Sequence, residues 1–381
     1  MRIAAFNLEN LFDRARVLNL DEWVDAPGAD PSRFAAGRDT LDAFARLNTL
    51  LQKPLYSEED KAAIVALLLQ LGLEKRDESR LVILRKNRGS LLKRPRDGGI
   101  EIVAEGRDDW IGWLELKTEA VNEIATQNTA RVLREVDADV VVVVEAENRT
   151  SLLRFNEQVM EKVNARPYDQ IMLIDGNDER GIDVGLLTRA SAEIGLIRSH
   201  VDDRDGPNRI FSRDCPEFHL QLASGESLVV LANHLKSKGY GIAAQSDARR
   251  AAQAARVREI YDRLRAEGVA HIAIAGDFND TPDSAPLAPL LGEGSELKDI
   301  SEHPSFVSDG RPGTYANGTK GNKIDYILLS PALFGKVTAG GVFRKGVWGG
   351  KHGRLWPIFP EMKFAYHAAS DHAAIWADIE L

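Results

Sequence analysis

Residues 140–144 of this chain are five consecutive valines, in the stretch "DADVVVVVEAENR". β-Branched side chains favour extended backbone, and a strand with one wet face would alternate apolar with polar residues. No polar residue interrupts this run, so it reads as a strand buried on both faces. A sheet built around such a strand needs cover on two sides. The run ends in Glu145, with Glu147 two residues on. A carboxylate at so apolar a mouth loses hydration and calls for a compensating partner.

Other runs share the strand pattern: "RIAAF" (2–6), "DVGLLT" (183–188), "SLVVLA" (227–232), "HIAIAG" (271–276) and "IDYILLS" (324–330). Helical periodicity separates some of them. "TEAVNEIATQNTARVLREVDAD" leads into the valine strand, and "AQSDARRAAQAARVREIYDRLRAEG" is a second helix closed by Gly268. Strands mixed with helices over 381 residues give an α/β chain with a large central core. Residues 30–117 fit that scheme less well. "YSEEDKAAIVALLLQLGL" reads as a helix with Ser57 as N-cap and Asp60 at the capping-box position. "SRLVILRKN", "IEIVAEG" and "DWIGWLELK" follow as strands. Nothing like a linker flanks the segment, so it reads as a subdomain inserted into one domain spanning 1–381. Arg85, Lys86, Arg88, Lys93, Arg94 and Arg96 give it a basic stripe, either a solvated face or a contact for a phosphate backbone.

The chemistry collects where the strand runs end. "FNLEN" carries Asn7 and Glu9, expected on one side of an extended chain. "NHLKSKG" carries His234, Lys236 and Lys238, and "GDFND" carries Asp277 and Asn279, again expected on one side. "NKIDYILL" holds Asp325, and "SDHAAIWADI" holds Asp371 and His372. Singly, each has an ordinary reading: a solvated strand end for Glu145, a turn for "GDFND", a packed histidine for His234. Jointly they make buried strands finish repeatedly in Asn, Asp, Glu or His. These groups bind hard cations and phosphate oxygens, and ligand sites in sheet proteins form where strand ends converge.

Composition narrows the classes. A net charge of −9 argues against coating nucleic acid by bulk attraction, so a polyanionic partner needs a local basic cleft or a bound cation. The single cysteine, Cys215, excludes an internal disulfide and a thiolate zinc site. "MRIAAFNLENLF" has too short an apolar run for a secretion signal, and no stretch reaches membrane-span length, so the expectation is a soluble, cytoplasmic protein. Carboxylate and amide donors without thiolate or zinc spacing suit Mg²⁺, or Mn²⁺ as its substitute, and Mg²⁺ in such sites usually bridges carboxylates to substrate phosphates.

With "FNLEN", "VVVEAEN", "ANHLKSK", "IAGDFNDTP", "KIDYILLS" and "SDH" in this order, the chain resembles the endonuclease/exonuclease/phosphatase superfamily over residues 1–16 and ~119–381. "ERGIDVGLLTR" with "NHLKSKG" is most similar to bacterial members described as nucleases. The resemblance implies a four-layer sandwich: two central, mostly antiparallel sheets flanked by helices. It places the insert in one loop beside the active-site rim, as a substrate-selecting element or a structural elaboration. It implies metal-assisted hydrolysis of a phosphate ester, with nucleic acid as the leading substrate. A phosphomonoester or a lipid-headgroup diester is the alternative, and a binding module without catalysis is a third reading.

The same resemblance suggests roles. Glu145 would be the principal metal carboxylate, with Asp371 and Glu9 as further metal contacts. Asp277 would orient or deprotonate the attacking water, and Asn7 and Asn279 would serve the phosphoryl oxygens. His372 would face the phosphorus, paired to Asp325 through its other ring nitrogen. His234 would be a second histidine on the phosphate, partnered by Asp183 or Glu179. Arg180, Lys236 and Lys238 would anchor phosphate. The loop "FRKGVWGGKHGRLWP" interleaves Arg344, Lys345, Lys351, His352 and Arg354 with Trp348 and Trp356. That composition suits base stacking as well as ordinary surface packing.

Overall fold

The valine strand lies where two cores meet. In the computed structural model, which describes residues 1–9, 11–12, 31–118, 121–178, 180–238 and 243–381, Val140, Val142 and Val144 belong to one apolar cluster. Val141 and Val143 belong to another, with Val132, Leu133 and Val136 of a preceding helix. All five are at most 1% exposed, which is why no polar residue interrupts them.

The described residues of 1–13, 121–238 and 243–381 form one compact unit, and those of 14–120 a second. In the first unit the strands of the two large sheets are β1 Arg2–Asn7, β2 Val140–Ala146, β3 Gln170–Ile174, β4 Asp183–Thr188, β5 Ala192–Arg198 and β6 Glu217–Leu222. They continue as β7 Ser227–His234, β8 Ile272–Asp277, β9 Lys298–Asp299, β10 Phe306–Val307, β11 Asp325–Leu329, β12 Val337–Phe343 and β13 Ala374–Ile379. One sheet has the order β10-β12-β13-β1-β2-β4-β3, the other β9-β11-β8-β7-β6-β5. Three neighbouring pairs are parallel, β1 with β2, β10 with β12 and β7 with β8, and the others are antiparallel.

The sheets pack face to face through Ile3, Ala5, Val142, Val184, Val230, Ala273, Ala275 and Ile327. Helix α1, Glu123–Val136, covers the outside of the first sheet; its side chains follow a 3.6-residue period, Asn122 caps it, and Asp137 ends it in the left-handed region. Helix α2, Ala243–Ala266, covers the outside of the second through Ala254, Val257, Ile260, Tyr261 and Leu264. The result is helix, sheet, sheet, helix: the four-layer sandwich that the family resemblance implies.

The second unit has its own core of Leu47, Leu51, Tyr56, Ile64, Leu68, Trp110 and Leu114. Ser57 and Asp60 form both hydrogen bonds of a capping box at the helix Glu58–Gln70. In the basic stripe, Arg85 pairs with Glu115, and Arg94 with Asp77 at 2.7 Å. No helix among the described residues is long and apolar enough to cross a membrane.

Strand ends in the first unit bend sharply. Glu9, Glu145 and Asn279 adopt φ of 53°, 60° and 55°, the left-handed region that side chains bearing a Cβ avoid. At Glu145 the β2–β4 register slips between Val144 and Ala146, a bulge. Without it, alternation would point Glu145 into the helix layer, as it does Val141 and Val143. The left-handed backbone strains Glu145, so Glu145→Gly should be more stable to urea than Glu145→Ala by about 0.5–1 kcal/mol, since both lose the carboxylate and only alanine keeps the Cβ. Equal midpoints and slopes for the two variants would show an unstrained bulge.

Candidate functional site

Four polar residues continue the inward-facing rows of the apolar core. Alternation carries Ile3 and Ala5 to Asn7, Val230 and Ala232 to His234, Ala273 and Ala275 to Asp277, and Leu329 and Ile327 back to Asp325. Ladder pairing then sets His234 beside Asp277, and Asp277 beside Asp325. Asn7, from the opposing sheet, reaches across and donates from Nδ2 to Asp277 Oδ2 at 3.3 Å. His372, just ahead of β13, places Nδ1 2.9 Å from Asp325 Oδ2 and Nε2 3.9 Å from Asp277 Oδ2. One polar mouth at the end of the inter-sheet core thus gathers residues from position 7 to 372.

The bulge brings Glu145 into the same mouth, with Oε1 3.7 Å from His234 Nε2. Glu9 accepts the backbone N–H of Asp371 at 3.1 Å, and Asp371 Oδ1 lies 3.7 Å from His372 Nε2. The expected period-two placement of Glu9 with Asn7, and of Asn279 with Asp277, is replaced by turns. Asn7 Oδ1 accepts the Glu9 N–H at 2.9 Å, and Asp277 Oδ1 accepts the Asn279 N–H at 2.8 Å. Short polar side chains that bond the backbone two residues on end the extended conformation there. Asp277 therefore divides its work: Oδ1 holds the turn, while Oδ2 faces Asn7 and both histidines. Asn279 Nδ2 donates to the Leu235 carbonyl at 3.1 Å.

The two histidines are driven in opposite directions. Burial disfavours charge on His372, but Asp325, Asp371 and Asp277 overcome it and hold the ring protonated. Burial, together with the charges of Arg213 and Arg180, keeps His234 neutral. Between them Asp277 is pushed up to about 8, first by burial and then by the neighbouring Asp325 charge. His234 Nδ1 is buried without a hydrogen-bond partner among the described residues. Asp183, one of its two candidate partners, instead accepts the Gly176 N–H at 2.7 Å, and Glu179 lies outside the described residues.

Next to His234 stands a basic group. Arg180 bonds Asp178 with Nε and Nη2 at 2.9 and 2.8 Å, and Arg213, 1% exposed, reaches the same carboxylate at 3.0 Å. Lys236 is lowered to about 7 by burial and by the charges of Arg213 and Arg180. Lys238 pairs with Asp280, which Arg250 also binds.

Sequence reasoning did not find Arg213, Asp178 or Thr314. Thr314 Oγ1 donates to Asp325 Oδ2 at 2.6 Å and so fixes the carboxylate that holds His372. None of the three sits at the end of an apolar run, which was the signal followed. The loop 343–357 is packed against its own chain. The Trp356 ring lies 4.5 Å from the Arg344 guanidinium and 5.5 Å from that of Arg311, and covers Gly349, where a Cβ would come within 2.3 Å. Trp348 covers Gly353 in the same way.

Two groups of donors could hold a cation. Asp277, Asp325 and His372 offer ligand atoms all within 4.8 Å of one another. However, Asp325 Oδ2 already serves both Thr314 and His372. Glu145, beside His234, and Glu9 and Asp371, joined through the Asp371 N–H, are further hard oxygen donors at the rim, of the kind Mg²⁺ and Mn²⁺ take.

Known proteins carry the same fold. The family model described as "Endonuclease/Exonuclease/phosphatase family" matches residues 100–359, leaving out the expected stretch 1–16 with Asn7 and Glu9, beginning ahead of ~119, and stopping short of Asp371 and His372. An endonuclease/exonuclease/phosphatase family protein from Bacteroides thetaiotaomicron is 17% identical with a TM-score of 0.50, over 66% of this chain and 85% of that one. A family member from Bacteroides vulgatus is 16% identical (TM-score 0.49, 68% and 91% covered). A mannosyl-6-phosphatase from Bacteroides thetaiotaomicron is 17% identical (TM-score 0.48, 68% and 91% covered). No curated protein matches the sequence significantly. Over two thirds of its length the chain belongs to the endonuclease/exonuclease/phosphatase family, and it is a metal-dependent phosphoric ester hydrolase.

Proposed function

We propose that the chain is a nuclease, hydrolysing phosphodiester bonds of DNA or RNA with Mg²⁺, or with Mn²⁺ in its place. The observation that carries the reading is the placement of Asp277 Oδ2 3.7 Å from His234 Nε2 and 3.9 Å from His372 Nε2, with Asn7 donating to it. A diester fits this arrangement because the basic group of Arg180, Arg213 and Lys236 adjoins His234. In a chain of net charge −9, such a group suits the phosphates flanking the scissile one.

Glu145, with Glu9 and Asp371, would hold the divalent cation, which supplies charge neutralisation at the phosphoryl oxygens and a more acidic water. Ionised Asp277 Oδ2, the form present above its raised pKa, orients the attacking water and takes its proton as the new O–P bond forms; the ester P–O bond breaks in line, and the leaving oxygen departs with the bonding pair and takes a proton from solvent. His372 donates from Nε2 to a phosphoryl oxygen, where its charge matches the negative charge spread over the transition state. Asp325, itself tied by Thr314, fixes the ring through Nδ1. Neutral His234 contributes a hydrogen bond without repelling the arginines beside it. Asn7 and Asn279 hold the geometry of the phosphoryl group, and Lys236 and Lys238 anchor phosphates further along the strand. The insert at 30–117 is placed here as an elaboration within the single 1–381 domain.

Plasmid DNA, RNA and small phosphate esters assayed side by side should yield turnover on a nucleic acid well above that on the esters; the reverse order would replace the nuclease by a phosphomonoesterase or headgroup diesterase. Asp277→Asn and His372→Ala should each lower kcat by about 10²–10⁴-fold with the melting transition retained. Near-normal turnover in either variant would remove that residue from its role. Excess chelator should abolish activity and Mg²⁺ or Mn²⁺ restore it, while Glu145→Gln should raise the metal concentration needed for half-activation at least ten-fold; an unchanged metal titration would assign the cation to other ligands.

A further inference from the structure

The aromatic residues singled out in the sequence are packed, yet a different aromatic pair is open. Phe364 and Tyr366 are 54% and 52% exposed, and their rings lie nearly parallel, 5.2 Å apart with 12° between planes. Both rest edge-on against the His367 ring, at 5.5 and 4.6 Å. Large apolar groups left half in water cost the fold burial it could otherwise gain, so a parallel exposed pair beside a reaction centre points to a ligand. The backbone beneath them is pinned to helix α1. Asn122 donates to the Tyr366 carbonyl at 2.6 Å, Asn128 to that of His367 at 2.7 Å, and Thr129 to that of Ala369 at 2.7 Å.

The pair is also tied to the reaction centre. Tyr366 precedes Asp371 by five residues, at most about 18 Å of chain, and the turn at Ala365–His367 shortens that reach. The helix end that pins Tyr366 also holds the segment after Glu9, through a Thr126 hydroxyl donating to the Leu11 carbonyl at 3.3 Å. The platform therefore stands on the flank of the mouth bearing Glu9 and Asp371. Exposed Lys363 adjoins it in sequence, a cation for a neighbouring phosphate.

We propose that Phe364 and Tyr366 form a stacking platform for an unpaired nucleobase adjacent to the scissile phosphate, so that the enzyme prefers single-stranded or frayed nucleic acid. This rests on the nuclease reading above and adds the strandedness of the substrate. Flat open rings match the face of a base, whereas paired bases inside a duplex present edges. An aliphatic headgroup would gain nothing from two parallel rings.

The test compares a single-stranded oligonucleotide with one of equal length carrying abasic sites around the cleavage position, in the full chain with Mg²⁺. The wild type should favour the base-bearing strand by about ten-fold or more in kcat/KM. Phe364→Ala/Tyr366→Ala should lose that preference while cutting the abasic strand at the wild-type rate. Phe364→Tyr/Tyr366→Phe, which keeps both rings, should retain it and controls for misfolding. A double-alanine variant with the wild-type preference, or one weakened equally on both strands, overturns the platform and leaves the nuclease reading standing. If the wild type cuts neither strand but cuts plasmid DNA, the platform is overturned and the nuclease reading stands; if it cuts no nucleic acid, the nuclease reading fails, and fluorescence anisotropy of the same two strands decides the platform: equal affinities overturn it.

Discussion

Two sheets packed face to face must stop being apolar somewhere, and here the inward rows stop together. Asn7, His234, Asp277 and Asp325 are the residues at which those rows turn polar. They cannot point elsewhere without a one-residue slip that would also turn the valines, alanines and leucines out of the core. Registry of the hydrophobic interior therefore positions the polar mouth, and the site is held as rigidly as the core is packed.

Against that rigidity the strained positions make sense. Glu9, Glu145 and Asn279 each sit in the left-handed region at a cost of about 1–3 kcal/mol. Each fully buried valine of β2 returns roughly 1.5 kcal/mol or more. The strain is affordable because the neighbouring strand is so well buried, and it swings a carboxylate from the helix layer to within 3.7 Å of His234. The same rim then separates charge by environment. Against burial, Asp325, Asp371 and Asp277 raise the His372 pKa, while burial and the charges of Arg213 and Arg180 lower that of His234.

Much of this was legible in particular residues. Five uninterrupted valines required cover on both faces, and the two clusters sharing β2 are that cover. Runs ending in Asn, Asp, Glu or His marked the mouth, because alternation is a local property that survives into the sheet. Where the chain left regular geometry, alternation misled: Asn7 and Asp277 each bond the backbone two residues on, so Glu9 and Asn279 leave the strand direction. The loop rich in Arg, Lys and Trp read equally as a stacking surface or as ordinary packing, and its tryptophans cover glycines and guanidiniums. The exposed pair lies a few residues later, in a stretch with no marked composition.

The sequence by itself determined that the valine strand is covered on both faces and which kinds of donors end the strand runs, since periodicity and side-chain chemistry are carried by near neighbours; the four layers were implied by the family resemblance. Only the tertiary structure decided which way Glu145 points, that Thr314 and Arg213 belong to the mouth, and which aromatic rings stay open. Those outcomes depend on a bulge, on ladder register and on contacts between residues far apart in the chain, and no local pattern records them.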